Sequence, residues 1–371
     1  NRPYQETSSR VSGSEIISSN SKTSYNGNYG LNASWTIYNG SKRLKTLKQE
    51  RLNNQVAELD VATSENTIKE SIAQIYIQIL YAAESVRVNE NTLQVSIAQR
   101  DRGQELLNAG SIAKSDFAQL EAQVSTDRYQ LVTAQATLQD YKLQLKQLLE
   151  LDGENEMNVY LPKLSDENVL APLPAKKDVY VSALAIRPEI EASKLNVEAS
   201  ELGIDIAKSS YFPTISLSAG IGTNHTSGSD FTFGEQVKNG WNNSIGLSVS
   251  VPIFNNRQTK SAVQKAKLQR ETDMLSLLDE QKALYKTIES LWLDANSAQQ
   301  RYAAANEKLR STQISYDLIS EQFNLGMKNT VELLTEKNNL LQAQQEQLQA
   351  KYMAILNTQL LKFYQGDKLT L

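Results

Sequence analysis

Ser244-Ile245-Gly246-Leu247-Ser248-Val249-Ser250-Val251-Pro252-Ile253-Phe254-Asn255-Asn256 is the stretch that decides the fold. Up to Val251 its side chains alternate between Ser or Gly and a branched apolar residue. That is the period of a β-strand with one apolar face and one small polar face. Pro252 lacks a backbone donor and interrupts the pattern. From Arg257 onward the composition turns to Gln, Ala, Leu, Glu and Lys, and no further proline occurs.

Working outward, the same alternation occurs twice more. Ile215, Leu217, Ala219 and Ile221 alternate with Thr214, Ser216, Ser218 and Gly220; Leu31, Ala33, Trp35 and Ile37 alternate with Asn32, Ser34 and Thr36. A half-buried soluble sheet shares this pattern, so two further features carry the reading. The segments have the length of about ten residues that a tilted strand needs to cross a bilayer. Tyr25, Tyr29, Trp241 and Tyr211 lie at strand starts on the apolar parity, like the aromatic girdles of outer-membrane barrels. A further strand is expected somewhere within residues 4 to 18, where alternation is poor, and 223 to 240 reads as a polar external loop.

The intervening segments are helical. Ile288, Leu291, Ala295, Ala298, Tyr302, Ala305, Leu309, Thr312, Tyr316, Ile319 and Phe323 step by three and four, a heptad seam. Sliding the chain on itself by 216 residues places Gly30-Leu31 through Ile37-Tyr38-Asn39 on Gly246-Leu247 through Ile253-Phe254-Asn255. The same shift carries Asn108-Ala109-Gly110 onto Asn324-Leu325-Gly326, and Ile72, Ile75, Ile79, Ala82, Val86 and Leu93 onto the seam. Return segments repeat it with Phe117, Val124, Leu131, Leu138 and Leu145, and with Leu333, Leu340, Ala354 and Leu361. The chain is therefore two copies of one unit, strands followed by a long helical hairpin. A helix from Arg257 to about Leu325 reaches about 100 Å at 1.5 Å per residue, more than an ordinary globular core uses.

Five segments follow. Residues 1–40 hold the strands of the first repeat and 41–152 its helical hairpin. Residues 153–210 form a connector, proline-rich at first, with a helix from Pro188 to about Lys208. Residues 211–254 hold the strands of the second repeat, and 255–371 its hairpin.

Bulk properties exclude several function classes. A net charge of −4 with scattered Lys and Arg offers no footprint for nucleic acid. With no cysteine there is no disulfide framework, thiolate metal site or cysteine nucleophile. The only histidine, His225, has no carboxylate cluster or nucleophile motif near it and reads as a surface residue; no phosphate loop or paired metal-ligand spacing appears, so no enzyme activity and no cofactor are expected. No apolar run reaches the length of a membrane-spanning helix, which leaves any membrane contact to the strands. Two strands per repeat cannot close a barrel alone, and open edges in lipid are prohibitively costly, so transmembrane strands require oligomerisation.

Two tandem units of strand, strand and two very long helices resemble the TolC-like outer-membrane efflux proteins, over nearly the whole chain. The resemblance rests on the passages Thr36-Ile37-Tyr38-Asn39-Gly40 and Val251-Pro252-Ile253-Phe254-Asn255-Asn256, on Arg187-Pro188-Glu189, and on Tyr211-Phe212-Pro213-Thr214-Ile215. The helical tips add a glycine followed six positions later by an acid, Gly110 to Asp116 and Gly326 to Glu332. The resemblance implies a homotrimer whose strands form a twelve-stranded barrel in the outer membrane of a Gram-negative cell, continued by an α-helical periplasmic tunnel. A leading helix and export signal are expected to precede the first repeat.

The implied function is passive conduction of exported solutes. Energy would come from an inner-membrane pump such as an RND transporter or ABC exporter, coupled through a periplasmic adaptor. The family pattern implies a gate at Ser115, Asp116, Phe323, Lys328 and Glu332, with Thr335 where a further acid stands in the family. Adaptor contacts are implied at Asn108, Ala109, Gly110, Ser111, Asn324, Leu325 and Gly326. Rings of Asp116 and Glu332 would favour cations, although both residues also suit the first turn of a helix on dipole grounds alone. A soluble coiled-coil scaffold or periplasmic adaptor is the alternative reading, and it predicts behaviour in water without detergent.

Overall fold

The computed structural model describes residues 9–12, 15–18, 25–151, 158–162, 169–227 and 230–369. It is mostly helical. The strands are β1 (Ser9–Ser12), β2 (Glu15–Ser18), β3 (Asn26–Asn39), β4 (Thr214–Thr226) and β5 (Asn242–Ser250). The helices are α1 (Lys42–Asn108), α2 (Lys114–Leu148), α3 (Lys176–Ile186), α4 (Pro188–Ser209), α5 (Phe233–Asn239), α6 (Gln258–Asn324) and α7 (Thr330–Gln365). α1 and α6 are each 67 residues long and begin and end at the same relative positions in the two repeats. The chain divides into two compact units, residues 1–54 with 195–274, and residues 55–194 with 275–371.

In the first unit, β3, β4 and β5 form an antiparallel sheet in that order. Register fixes its chemistry, because directly opposed residues share a face. Trp35, Leu217 and Leu247 form one cross-strand row, and Ala33, Ala219 and Ile245 the next. Between them lies a row of Ser34, Ser218 and Gly246 on the other face. No other part of the described chain covers the apolar face: Ile245 is 85% exposed, Leu247 67% and Leu31 74%.

Three expectations are corrected in this unit. Of residues 4 to 18, where one strand is expected, the described residues form two short strands, β1 and β2, which pair antiparallel with each other. The described residues thus put three strands, not four, in the main sheet. The alternation of β3 also breaks one residue early, where a bulge between Thr36 and Tyr38 sets Tyr38, not Ile37, opposite Ile215. Within 223–240, read as loop, α5 forms behind a capping box in which Thr232 and Glu235 exchange hydrogen bonds.

Each passage from strand to long helix uses two consecutive residues with positive φ, Gly40 and Ser41 in the first repeat and Asn256 and Arg257 in the second. Gly40 has a second constraint, since a Cβ there would lie 2.6 Å from the Ser209 carbonyl oxygen. Strand and helix can turn sharply only because that side chain is absent.

The second unit is held by two apolar clusters. One joins Ile77 and Leu80 of α1 to Ala298 and Tyr302 of α6 and to Ile355 and Leu356 of α7. The other packs Val179 and Ala183 of α3 and Ile190 of α4 on Ile288, Ala295 and Leu361. Of the seam read from the sequence, Ile288, Ala295, Ala298, Tyr302, Ala305 and Phe323 are buried. The connector is fastened to α6 by backbone carbonyls: the Gln299 amide donates to Val169 and Ala171 at 3.0 and 2.8 Å, and the Trp292 indole to Pro174 at 3.0 Å. Arg187 of the Arg-Pro-Glu motif donates to Glu189 at 2.7 Å and to Glu70 at 3.2 Å, and its guanidinium lies 4.2 Å from the Tyr364 ring centroid. Burial holds the Glu70 carboxyl above the usual range and pushes the Tyr364 phenol up to about 12. One motif thus ties the start of α4 to α1 and α7.

Candidate functional site: the hairpin tips

Both long helices end in the same way. At the first tip Gly110 has a φ of 74°, its N–H donates to Leu107 at 2.9 Å, and the Ser111 N–H donates to Leu106 at 2.8 Å. At the second, Gly326 has a φ of 75°, with matching bonds to Phe323 at 2.9 Å and from Met327 to Gln322 at 2.8 Å. These are Schellman motifs, which satisfy the last carbonyls of a helix and need a left-handed residue at the glycine. Asn108, Ala109, Gly110, Ser111, Asn324, Leu325 and Gly326 are all exposed, Leu325 at 70%. An exposed leucine there gives the second tip an apolar point that Ala109 does not give the first.

Each return helix opens with an acid that reaches back three residues to the N-cap backbone, and at the second tip Asn329 completes a capping box. Asp116 accepts the Ala113 N–H at 3.4 Å. Asn329 accepts the Glu332 N–H at 2.9 Å, and Glu332 accepts the Asn329 N–H at 3.2 Å in return. The Lys328 ammonium donates to the other Glu332 oxygen at 2.5 Å. Lys328, first, and the Asn329 N–H hold the Glu332 carboxyl below the ordinary carboxylate range. The structure therefore brings Lys328 and Glu332 together, whereas Asp116 and Ser115 belong to the other tip. Ser115 is exposed, and Asp116 and Glu332 are partly exposed. Phe323 differs, being buried at 3% exposure; within one chain it packs and does not line an open surface. Thr335 donates to the Val331 carbonyl at 2.7 Å, an internal helix bond.

A second feature near the tips went unread in the sequence. Ser96 of α1, Asp127 of α2 and Lys337 of α7 form a buried triad, in which Ser96 and Lys337 donate to one Asp127 oxygen and the Gln123 amide donates to the other at 2.9 Å. Lys337 and Asp127 side chains are 3% and 1% exposed. Burial holds the Lys337 ammonium below the usual lysine range, and Asp127 acts against that shift. A signal was present: Asp127 falls between Val124 and Leu131, and Lys337 between Leu333 and Leu340, so each occupies a heptad position where an apolar residue belongs. Opposite charges on seams of different hairpins fix their mutual register.

Among the described residues no group of His, Cys, Asp or Glu could hold a metal ion, and no helix is long and apolar enough to cross a membrane.

Comparison with known proteins follows the same lines. A family profile described as outer membrane efflux protein matches residues 4–150 and 179–366. The outer membrane efflux protein BepC of Brucella suis is 26% identical over 294 residues, 79% of this chain and 61% of its own length. The outer membrane protein TolC of Escherichia coli is 24% identical over 341 residues, covering 88% and 66%. The chain thus spans less than two thirds of either relative. Among solved structures CusC, at 20% identity, superposes with a TM-score of 0.80 over 99% of this chain and 83% of its own. Two equal hairpins, an uncovered apolar sheet and a profile match over most of its length place this chain in the outer membrane efflux protein family.

Proposed function

We propose that the protein is one protomer of a homotrimeric channel in the outer membrane of a Gram-negative bacterium, a passive conduit for solutes exported from the periplasm. The observation that carries this reading is the uncovered sheet, whose exposed rows of Trp35, Leu217 and Leu247 suit lipid and whose Ser, Gly and Asn face suits a water-filled lumen. Its two edges, β3 and β5, end in unpaired backbone groups among the described residues. In hydrocarbon those groups must pair, which requires further strands from neighbouring copies. A twelve-stranded trimer needs four strands from each copy, one more than the described sheet holds. The long hairpins, by family resemblance, continue this barrel as a periplasmic tunnel.

In this reading the tips close the tunnel. Ser115, Asp116, Phe323, Lys328 and Glu332 form the constriction, with Phe323 supporting it from inside the hairpin, and three-fold copies of Asp116 and Glu332 give acidic rings that favour cations. The exposed residues from Asn108 to Ser111 and from Asn324 to Gly326 contact a periplasmic adaptor, which couples the channel to an inner-membrane RND transporter or ABC exporter. Planar-bilayer recording of the full-length protein tests this. A small cation-selective conductance that loses its preference in Glu332→Gln or Asp116→Asn is expected. A protein that stays in water without detergent, monomeric and electrically silent, would instead be the coiled-coil scaffold.

A further inference from the structure

The joint between sheet and long helices carries a charge pattern that neither conduction nor helix stability uses. We propose that Lys42, Arg43, Arg257 and Lys260 form a basic collar that binds the phosphate headgroups of anionic phospholipids in the adjoining leaflet. This rests on the reading that the sheet is embedded in the membrane.

Position comes first. The sheet's last paired apolar row is Tyr38, Ile215 and Val249, and beyond it Tyr211 and Phe254 are exposed, Phe254 at 83%. Exposed aromatic rings at the end of an apolar band mark the level where hydrocarbon meets headgroups. Lys42 and Arg43 follow within five residues of Tyr38, and Arg257 and Lys260 within six of Phe254. All four side chains are exposed, and none makes an ion pair among the described residues.

Charge balance comes second. There is no Asp or Glu from Asn39 to Gln49, and none from Val251 to Arg270. The three acids on the facing helix of this unit are already engaged: Glu198 by Lys48 at 3.9 Å, Glu201 by Arg270 at 2.8 Å, and Asp205 by Lys45 at 3.7 Å and Lys208 at 3.2 Å. These cations also sit where they do not help their own helices, because positive charge at a helix start opposes the dipole. Helices α2, α3, α4, α5 and α7 each carry an acid in the first turn, and α1 and α6 carry none. At the opposite rim, 223–240 holds Asp230, Glu235 and only one lysine, Lys238. The positive field is therefore confined to one end of the apolar band. Its height and sign fit lipid phosphates, which lie in a plane at that level and attract juxtamembrane Lys and Arg.

Native mass spectrometry of the full-length protein in detergent, titrated with phosphatidylglycerol or phosphatidylcholine, tests the collar. Preferential retention of phosphatidylglycerol is expected. Each double variant, Lys42→Gln with Arg43→Gln and Arg257→Gln with Lys260→Gln, should weaken it about tenfold or more, given about fivefold for each juxtamembrane charge. The control Arg128→Gln with Arg310→Gln should retain it. Equal retention of both lipids, or no difference between collar and control variants, overturns the proposal. Displacement of the lipid by low-millimolar inorganic phosphate overturns it too, by making the collar a free-anion site. Bilayer conductance of the same samples separates the two readings: a conducting protein indifferent to lipid charge overturns the collar alone, and one that never inserts overturns the membrane reading beneath it.

Discussion

Replacing Asp127 by Asn is expected to loosen α7 around Lys337 far more than a surface charge change would. The two side chains are 3% and 1% exposed, so solvent screening offers no discount. Removing one partner of so deeply buried a pair costs about 3–5 kcal/mol, because the remaining charge is left uncompensated. At about 1.4 kcal/mol per tenfold, amides flanking Lys337 should exchange with solvent about 100- to 4,000-fold faster, measured by native-state hydrogen exchange of the assembled protein. Proton linkage adds a second signature. Without Asp127 the Lys337 ammonium falls further below the usual lysine range, since desolvation then acts unopposed. Between its folded and unfolded values the unfolded chain binds the extra proton, so stability rises with pH there and the penalty should shrink in alkaline buffer. The double variant Asp127→Leu with Lys337→Met should recover most of the protection, as buried pairs replaced by apolar residues commonly do. Exchange within threefold of the parent for Asp127→Asn, at neutral pH, would refute the reasoning.

Four further outcomes are expected. Gly110→Ala and Gly326→Ala should each cost only about 1–2 kcal/mol in thermal unfolding, because both sites are left-handed with open space around the missing Cβ. Gly40→Ala should abolish assembly into detergent-resistant oligomers, since its Cβ would strike the Ser209 carbonyl and the Phe212 side chain. Lys328→Met removes the main cause that holds the Glu332 carboxyl low, so cation preference in bilayer recordings should vanish at a higher pH on acidification than in the parent. Ile245→Arg, in the middle of the exposed apolar face, should cost about 2–4 kcal/mol and reduce membrane insertion, whereas Ser218→Arg on the opposite face should insert normally and change conductance.

Periodicity alone determined much of this molecule. Steps of two and of three or four are written directly into the side-chain order, and the offset that aligns Gly110 with Gly326 also relates the two long helices residue for residue. Asp116 and Glu332 were legible as acids at helix starts, and the tip geometry follows from glycine's freedom at positive φ. Tertiary structure decided the rest, for reasons of pairing and burial that lie between distant residues. Strand partners are not local properties, so only the register shows β1 folding onto β2 and Tyr38 replacing Ile37 beside Ile215. Burial likewise needs neighbours: Phe323 could have lined a surface, and packing removes it from water. Lys337 and Asp127 lie 210 residues apart and read singly as flaws in their heptads. Their opposite charges neutralise each other only once the two hairpins bring α2 and α7 into contact, where a low-dielectric interior makes that pairing the condition for burying either one.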